Sequence, residues 1–126
     1  MAKEIIKTDK APAAVGAYSQ AVKAGDTVYL SGQIAIDPET QEIIDGGVEK
    51  QAKRVLENLK AVLAAADCTF QDVVKAEIFL DDINDFGVVN DIYAEYFKEE
   101  PPARACVEVG NLPKGVAVEI ALIAVK

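Results

Sequence analysis

The last stretch of the chain, residues 116–125, is apolar at every position except Glu119. A continuous run of Val, Ile, Leu and Ala of this length is typical of a strand that is buried on both faces of a sheet. Burying an ionised carboxylate is costly unless it is paired or hydrogen-bonded. We therefore expect Glu119 either to bind a partner such as Arg104 or to have a raised pKa, and both outcomes place it near a functional site.

Two amphipathic helices are predicted to pack against the sheet that contains this strand. Apolar residues at three- and four-residue spacing predict one helix over residues 48–66 and a second over residues 86–97. The charged side of the first helix, which includes Asn58, is predicted to face solvent. In the second helix Asn90 lies close to the apolar stripe, where a hydrogen bond to the backbone is favoured over a ligand role.

The remaining segments predict a sheet of six strands. Gly25-Asp26 is a typical hairpin turn between two of them, and the first helix suggests a parallel crossover to an earlier strand. The order β-β-β-α-β-α-β-β indicates an α+β fold, a mixed sheet with two helices on one face, so an apolar opposite face would need another subunit. The predicted strands before the last one cover residues 3–7, 16–22, 27–34, 73–80 and 103–109.

The segment around Arg104 carries the clearest chemical signal. Pro101 and Pro102 block the preceding helix and open a strand in which Arg104, Cys106 and Glu108 share one face. A guanidinium fork matches a carboxylate or phosphate, so a small anion is the natural ligand; an ordinary surface pair with an acidic residue is the alternative. In the third strand the polar run Ser31-Gly32-Gln33 either lines a pocket or faces solvent.

The composition of the chain limits the catalytic groups and the partners that it can use. The chain of 126 residues has the size of one domain (1–126) and lacks both a secretory signal and an apolar run long enough to cross a bilayer, so a cytoplasmic location and no membrane partner are expected. It contains no histidine, which excludes His-dependent nucleophiles and the usual zinc sites. A net charge of −8 disfavours nucleic acid as a partner. Cys68 and Cys106 are expected to be free thiols.

The chain resembles the Rid (YjgF-like) family of reactive-intermediate deaminases through nearly its whole length. The Arg at position 104 makes it most similar to the enzymatically active subgroup, RidA. It departs from the family pattern at Ala17, where Pro is common, and at Ala121, where a second Glu is frequent; the effect of these departures stays open. The matching motifs are Gly16-Ala17-Tyr18-Ser19-Gln20-Ala21, Ser31-Gly32-Gln33-Ile34, the helix over 51–63, Asp85-Phe86 with Val89-Asn90 and Tyr93, Pro102-Ala103-Arg104 with Cys106-Val107-Glu108-Val109, Leu112-Pro113-Lys114-Gly115, and Val118-Glu119-Ile120.

The resemblance implies a chorismate-mutase-like subunit that assembles as a homotrimer with three clefts between subunits. It implies hydrolysis of 2-aminoacrylate and 2-iminobutanoate, which leak from pyridoxal-phosphate-dependent dehydratases, to 2-oxo acids and ammonia, with no cofactor and no metal. Arg104 would bind the substrate carboxylate and Glu119 would position or deprotonate the attacking water. Tyr18, Ser31, Asn90 and Cys106 would line the pocket.

Other functions remain open at this stage. The main alternative is a module without enzymatic activity that binds or senses small 2-oxo acids through the same cleft between subunits. Some relatives are described as ribonucleases or translation inhibitors, which the net charge of −8 and the missing histidine disfavour. A chaperone-like trimer is a further possibility, and it would not depend on Arg104.

Overall fold

The computed structural model describes residues 2–126 as a six-stranded mixed sheet with two helices packed on one face. This confirms the predicted order of six strands and two helices; β4 and β5 form a separate two-stranded hairpin. The elements are β1 (Glu4–Ile6), β2 (Ala21–Ala24), β3 (Thr27–Gln33), β4 (Ile36–Asp37), β5 (Glu42–Ile43), α1 (Val48–Ala65), β6 (Val73–Leu80), α2 (Phe86–Tyr96), β7 (Ala103–Glu108) and β8 (Val118–Val125).

The strand order across the sheet is β1-β2-β3-β8-β6-β7, and among residues 2–126 only the β6–β7 pair is parallel. The hairpin predicted at Gly25-Asp26 is confirmed, since Ala24 pairs with Thr27. The predicted crossover has the right direction but skips one position. β6 runs parallel to β3, and β8 inserts between them as the antiparallel partner of both.

The central strand β8 is buried on one face only, so the prediction of burial on both faces is wrong for the chain by itself. Both helices pack on the same side of the sheet, which we call the helix face. On the other side, the open face, Glu119, Ala121 and Ile123 are half-buried. The β8 residues on the helix face are fully buried: Val118, Ile120, Leu122 and Ala124.

The second predicted strand begins at Ala21 rather than Gly16, so Tyr18 and Gln20 lie in the loop before it. The Gln20 side chain stabilises the irregular loop before β2 by binding its neighbouring backbone groups. It is only 3% exposed, its amide nitrogen donates to the Pro12 carbonyl at 2.7 Å, and its amide oxygen accepts from the Thr8 backbone at 2.7 Å. These bonds satisfy the backbone of an irregular segment and leave Tyr18 exposed on the loop.

A β-bulge interrupts β3 at Ser31 and Gly32. Leu30 pairs with Leu122 and Gln33 with Ile120, so β3 contains one residue more than β8 between these pairs. The extra residue reverses the alternation, so Gln33 is buried while the apolar Ile34 is only half-buried. Bulges of this kind bend a strand locally and redirect its side chains, often beside functional sites.

Asn58 is fully buried on α1, contrary to the prediction that it faces solvent. Its amide nitrogen donates to the Ile36 carbonyl at 2.9 Å and to the Ile34 carbonyl at 3.3 Å, and its oxygen accepts from Arg54 Nε at 3.1 Å. The side chain thus connects α1 to the backbone between β3 and β4. Within residues 2–126, neither helix is long and apolar enough to cross a bilayer.

Candidate functional site

Arg104 lies on β7, the edge strand of the sheet, and projects from the helix face because it pairs with the buried Ala76 of β6. Its Nη1 donates to the Asn90 amide oxygen at 2.7 Å. Asn90 was predicted to form a hydrogen bond with the backbone. Its amide oxygen instead accepts this hydrogen bond from the Arg104 side chain. Because an amide is neutral, it orients the exposed guanidinium without neutralising its charge. Arg104 and Asn90 border a cavity of about 430 Å³.

Cys106 shares the helix face with Arg104, as predicted from strand alternation, and its half-buried side chain packs against the core. Burial raises the pKa of the Cys106 thiol, and the positive charge of Arg104 lowers it to a smaller extent. The net shift disfavours the thiolate, which is the nucleophilic form. Arg104, Asn90 and Cys106 together form what we call the guanidinium half-site.

Three other candidate residues meet on a second surface. Tyr18, Ser31 and Glu119 line one cavity of about 590 Å³ between the loop before β2, the β3 bulge and β8. The Ser31 hydroxyl donates to the Ser19 carbonyl at 2.6 Å and ties the bulge to the Tyr18 loop. We call these three residues the carboxylate half-site. Ala17, one of the departures from the family pattern, belongs to the same loop.

Gly32 provides the space that the Glu119 carboxylate occupies. A Cβ placed on Gly32 would lie 2.1 Å from Glu119 Oε2 and 2.9 Å from its Cδ, far inside van der Waals contact. No larger residue fits at position 32 unless Glu119 moves. The bulge and the missing side chain together create this close approach, a common reason for glycine in a strand.

Burial raises the pKa of the Glu119 carboxyl above its ordinary value of 4.5. Of the two alternatives left open by the sequence, the raised pKa is confirmed. Pairing with Arg104 within one chain is wrong, because Glu119 lies opposite Phe79 on the open face while Arg104 projects from the helix face. The other departure, Ala121, also lies on the open face, opposite Glu77.

The structure thus divides the six predicted residues between two surfaces of one chain. Strand alternation gave the faces within each strand, but only the register across β8, β6 and β7 shows that the two half-sites lie on opposite faces.

Two aromatic residues of α2 that were not predicted to belong to the site also contact the guanidinium. The Arg104 guanidinium carbon lies 5.3 Å from the ring centroid of Phe86 and 5.0 Å from that of Tyr93. Their spacing offered a signal, since Phe86, Asn90 and Tyr93 fall at positions i, i+4 and i+7 of one helix face. Gly32 was recognised only as part of a polar run.

Comparison with known proteins gives consistent matches over the whole chain. The sequence model of the family described as Endoribonuclease L-PSP matches residues 8–126. The chain is 52% identical to a RutC family protein of Pyrococcus abyssi, covering 100% of this chain and 99% of that protein. It is also 52% identical to the 2-iminobutanoate/2-iminopropanoate deaminase of Rattus norvegicus, covering 98% and 90%.

A solved structure agrees with these sequence matches. The crystal structure of E. coli TdcF with bound serine superposes with a TM-score of 0.92 at 44% identity, covering 98% of both chains. The family model matches nearly all residues, and the relatives are 52% identical over almost the whole chain. These two findings establish the family. This chain belongs to the Endoribonuclease L-PSP family, which is the Rid (YjgF-like) family that its motifs resemble.

Proposed function

We propose that this protein is a hydrolytic deaminase of small 2-imino acids. It converts 2-aminoacrylate, in its imine form, and 2-iminobutanoate to 2-oxo acids and ammonia, and thereby removes reactive products of pyridoxal-phosphate-dependent dehydratases in the cytoplasm. The name of the rat relative supports the reaction, and the serine bound to the E. coli relative supports a small ligand that carries a carboxylate. The observation that carries the proposal is the exposed Arg104 guanidinium, oriented by Asn90 but not neutralised by it.

The proposed active site is a cleft between two copies of the chain. The guanidinium half-site and the carboxylate half-site lie on opposite faces of the sheet, so one chain does not bring Arg104 to Glu119. A second copy brings them together if its carboxylate half-site covers the Arg104 edge of the first. Such a contact joins two different surfaces, and repetition of it around a closed ring gives cyclic symmetry. We propose the homotrimer implied by the family resemblance.

In this cleft Arg104 binds the substrate carboxylate through two parallel N–H donors. A charge-assisted contact of this kind contributes about 1.5–3 kcal/mol, equivalent to about 10- to 150-fold in affinity. It places the C2=N bond of the imine beside Glu119 of the next subunit. Tyr18 and Ser31 supply hydroxyl groups to the same wall of the cleft.

Glu119 acts as the general base. It accepts a proton from water as the water oxygen bonds to C2 and the C=N π electrons move to nitrogen. The proton is then returned to nitrogen, which gives a carbinolamine with a C2 hydroxyl and an amino group. Glu119 next takes the hydroxyl proton and passes it to the amino nitrogen, and the C–N bond breaks so that ammonia leaves as the C2 carbonyl of the 2-oxo acid forms. A carboxylate with a raised pKa is a better base than an ordinary one, and a positioned base typically contributes about 10²–10⁴-fold.

RNA cleavage, which the printed family description suggests, is not our proposal. The chain carries 13 Lys and Arg against 21 Asp and Glu and no histidine. A phosphate backbone is repelled by this charge, and the commonest general base of nucleases is missing.

Subunit mixing tests both the reaction and the composite cleft. The imine is generated in situ from threonine by a dehydratase, and its hydrolysis competes with trapping by semicarbazide. We expect wild type to suppress trapping, and Arg104→Ala and Glu119→Gln each to lose this activity. When the two variants are refolded together in equal amounts, mixed rings contain one cleft with both native residues. Random assembly then restores about one quarter of wild-type activity.

The outcomes separate the alternatives. If folded wild type binds 2-oxobutanoate but does not accelerate hydrolysis, the protein is a binding module and the deaminase proposal is wrong. If wild type is active but the mixed rings remain inactive, the cleft does not combine the two half-sites across subunits. Rings of Arg104→Ala alone serve as the control for carry-over of wild-type protein.

A further inference from the structure

The guanidinium of Arg104 rests on a seat formed by one face of α2, consisting of Phe86, Asn90 and Tyr93. Asn90 accepts the hydrogen bond from Nη1, and the two ring centroids lie 5.3 and 5.0 Å from the guanidinium carbon. Both distances fall inside the range of about 6 Å over which an aromatic face attracts a cation. Three contacts therefore act on one exposed side chain at the edge of the sheet.

All three contacts orient the guanidinium and preserve its charge. An exposed Arg samples many rotamers, and fixing them at the moment of binding reduces affinity by the entropy lost. A carboxylate partner would fix the side chain too, but it would neutralise the charge and compete with the ligand. Aromatic faces attract the cation through their quadrupole and occupy none of its N–H donors, and Asn90 occupies one. The remaining donors stay available to a bound carboxylate.

The seat is itself held rigidly. Tyr93 is only 4% exposed and stacks on Phe97 with ring centroids 4.4 Å apart, and Phe97 packs edge-to-face on Phe70 at 5.0 Å. The far end of β7 is also tied to the turn before α2, since the Glu108 carboxylate accepts from the Ile83 backbone at 2.9 Å. The helix face that contacts Arg104 is thus fixed relative to the strand that carries it.

We propose that Phe86 and Tyr93 are positioning residues that preorganise Arg104 for a carboxylate ligand. This inference rests on the proposed function, because it assigns the ligand group that Arg104 binds. For Tyr93 the ring performs this role and the hydroxyl does not, since the hydroxyl is buried with no hydrogen-bond partner among residues 2–126. Tyr93→Phe should therefore retain the effect, and Tyr93→Leu should lose it.

Side-chain NMR reports on the contacts between Arg104 and the aromatic rings through the chemical shift of the Arg104 Nε–H group, and it does not depend on catalysis. The chain contains only two arginines, Arg54 and Arg104, so their Nε–H signals are readily assigned. Ring currents from Phe86 and Tyr93 should shift the Arg104 signal in wild type and in Tyr93→Phe. In Phe86→Leu and Tyr93→Leu the signal should move towards the position of free arginine. Arg54, whose Nε donates to Asn58, should not move and is the internal control.

Ligand affinity is the second readout. Loss of one cation–π contact at an exposed site should weaken 2-oxobutanoate binding, measured by calorimetry, by about two- to fivefold. The apparent KM for the imine should rise by the same factor while kcat stays constant. Tyr96→Leu is the matched control. It removes an aromatic residue of the same helix that packs on Phe70 and contacts Glu57 rather than Arg104, so affinity should not change.

The inference fails if both leucine variants leave the Arg104 signal and the 2-oxobutanoate affinity at wild-type values. It also fails if Tyr93→Phe weakens binding as much as Tyr93→Leu does, because the hydroxyl would then be the active group. Absence of imine hydrolysis by wild type, with the shifted signal and the affinity pattern intact, overturns the deaminase proposal and leaves the seat in place.

Discussion

Gly32→Ala should inactivate the protein by displacing Glu119 while leaving the fold intact. The added Cβ would lie 2.1 Å from Glu119 Oε2, 2.9 Å from Cδ and 3.1 Å from Cγ. Gly32 has no positive φ, so the alanine backbone is unstrained and the side chain of Glu119 must give way. Gly32 sits in the bulge, where neighbouring backbone is already free of the regular ladder.

The contact distances determine the size of the effect. Restoring ordinary contact with Oε2 requires the carboxylate to move by more than about 1 Å, and misplacement of a catalytic group by that much can reduce a rate about 10²-fold. We expect kcat/KM for imine hydrolysis to fall by about this factor, or about 2.7 kcal/mol in transition-state stabilisation. Affinity for 2-oxobutanoate should change less, because Arg104 lies on the other half-site.

The assay is the semicarbazide competition, with Gly110→Ala as the matched control, since a Cβ at Gly110 would meet no atom of residues 2–126 within 4 Å. The same substitution should also be measured in a Glu119→Ala background by urea unfolding. With Glu119 absent the clash is absent, so Gly32→Ala should then have little effect on the free energy of unfolding. Wild-type activity in Gly32→Ala, or equal destabilisation in both backgrounds, would refute this reasoning.

Two further predictions concern buried polar groups. Because burial raises the pKa of Glu119 above 4.5, its charge destabilises the folded chain at neutral pH, and this loss is recovered as the pH falls through the raised pKa. Glu119→Gln should therefore raise Tm at neutral pH but have little effect below pH 4.5, and equal effects at both would contradict the assignment. Asn58→Ala leaves the Ile34 and Ile36 carbonyls without their side-chain donor and should lower the free energy of unfolding by about 1–3 kcal/mol in urea. An unchanged midpoint would show that these carbonyls find other partners.

The periodic parts of the fold could be predicted from the sequence. Apolar spacing placed α1 within one residue of its observed end, and the Gly25-Asp26 turn fixed the pairing of β2 with β3. Alternation in β7 placed Arg104 and Cys106 on one face. These features depend on patterns that repeat every two residues in a strand or about every four in a helix, and such patterns are visible in the sequence itself.

The bulge and the buried amides could not be predicted in this way. One extra residue at Ser31-Gly32 breaks the alternation, and nothing in the local pattern marks where the alternation reverses. Gln20 and Asn58 appeared as ordinary polar residues, yet each binds backbone groups that are distant in sequence. Their burial depends on partners that only the tertiary structure brings together.

Each half-site is incomplete by itself, for a different physical reason. Arg104 is exposed, so water competes with any ligand, and a net charge of −8 opposes the approach of anions. Affinity for a carboxylate must therefore come from short-range contacts in a cleft that is shielded from bulk water. In the ring that we propose, closing the carboxylate half-site of one subunit over Arg104 of the next excludes bulk water but keeps room for the reacting water molecule, and it brings Glu119 to the bound substrate. The same contact would bury apolar residues of the open face such as Tyr29 and Val107, which are about half exposed in one chain. The burial of the apolar open face that drives assembly would therefore also form the cleft in which Arg104 and Glu119 meet.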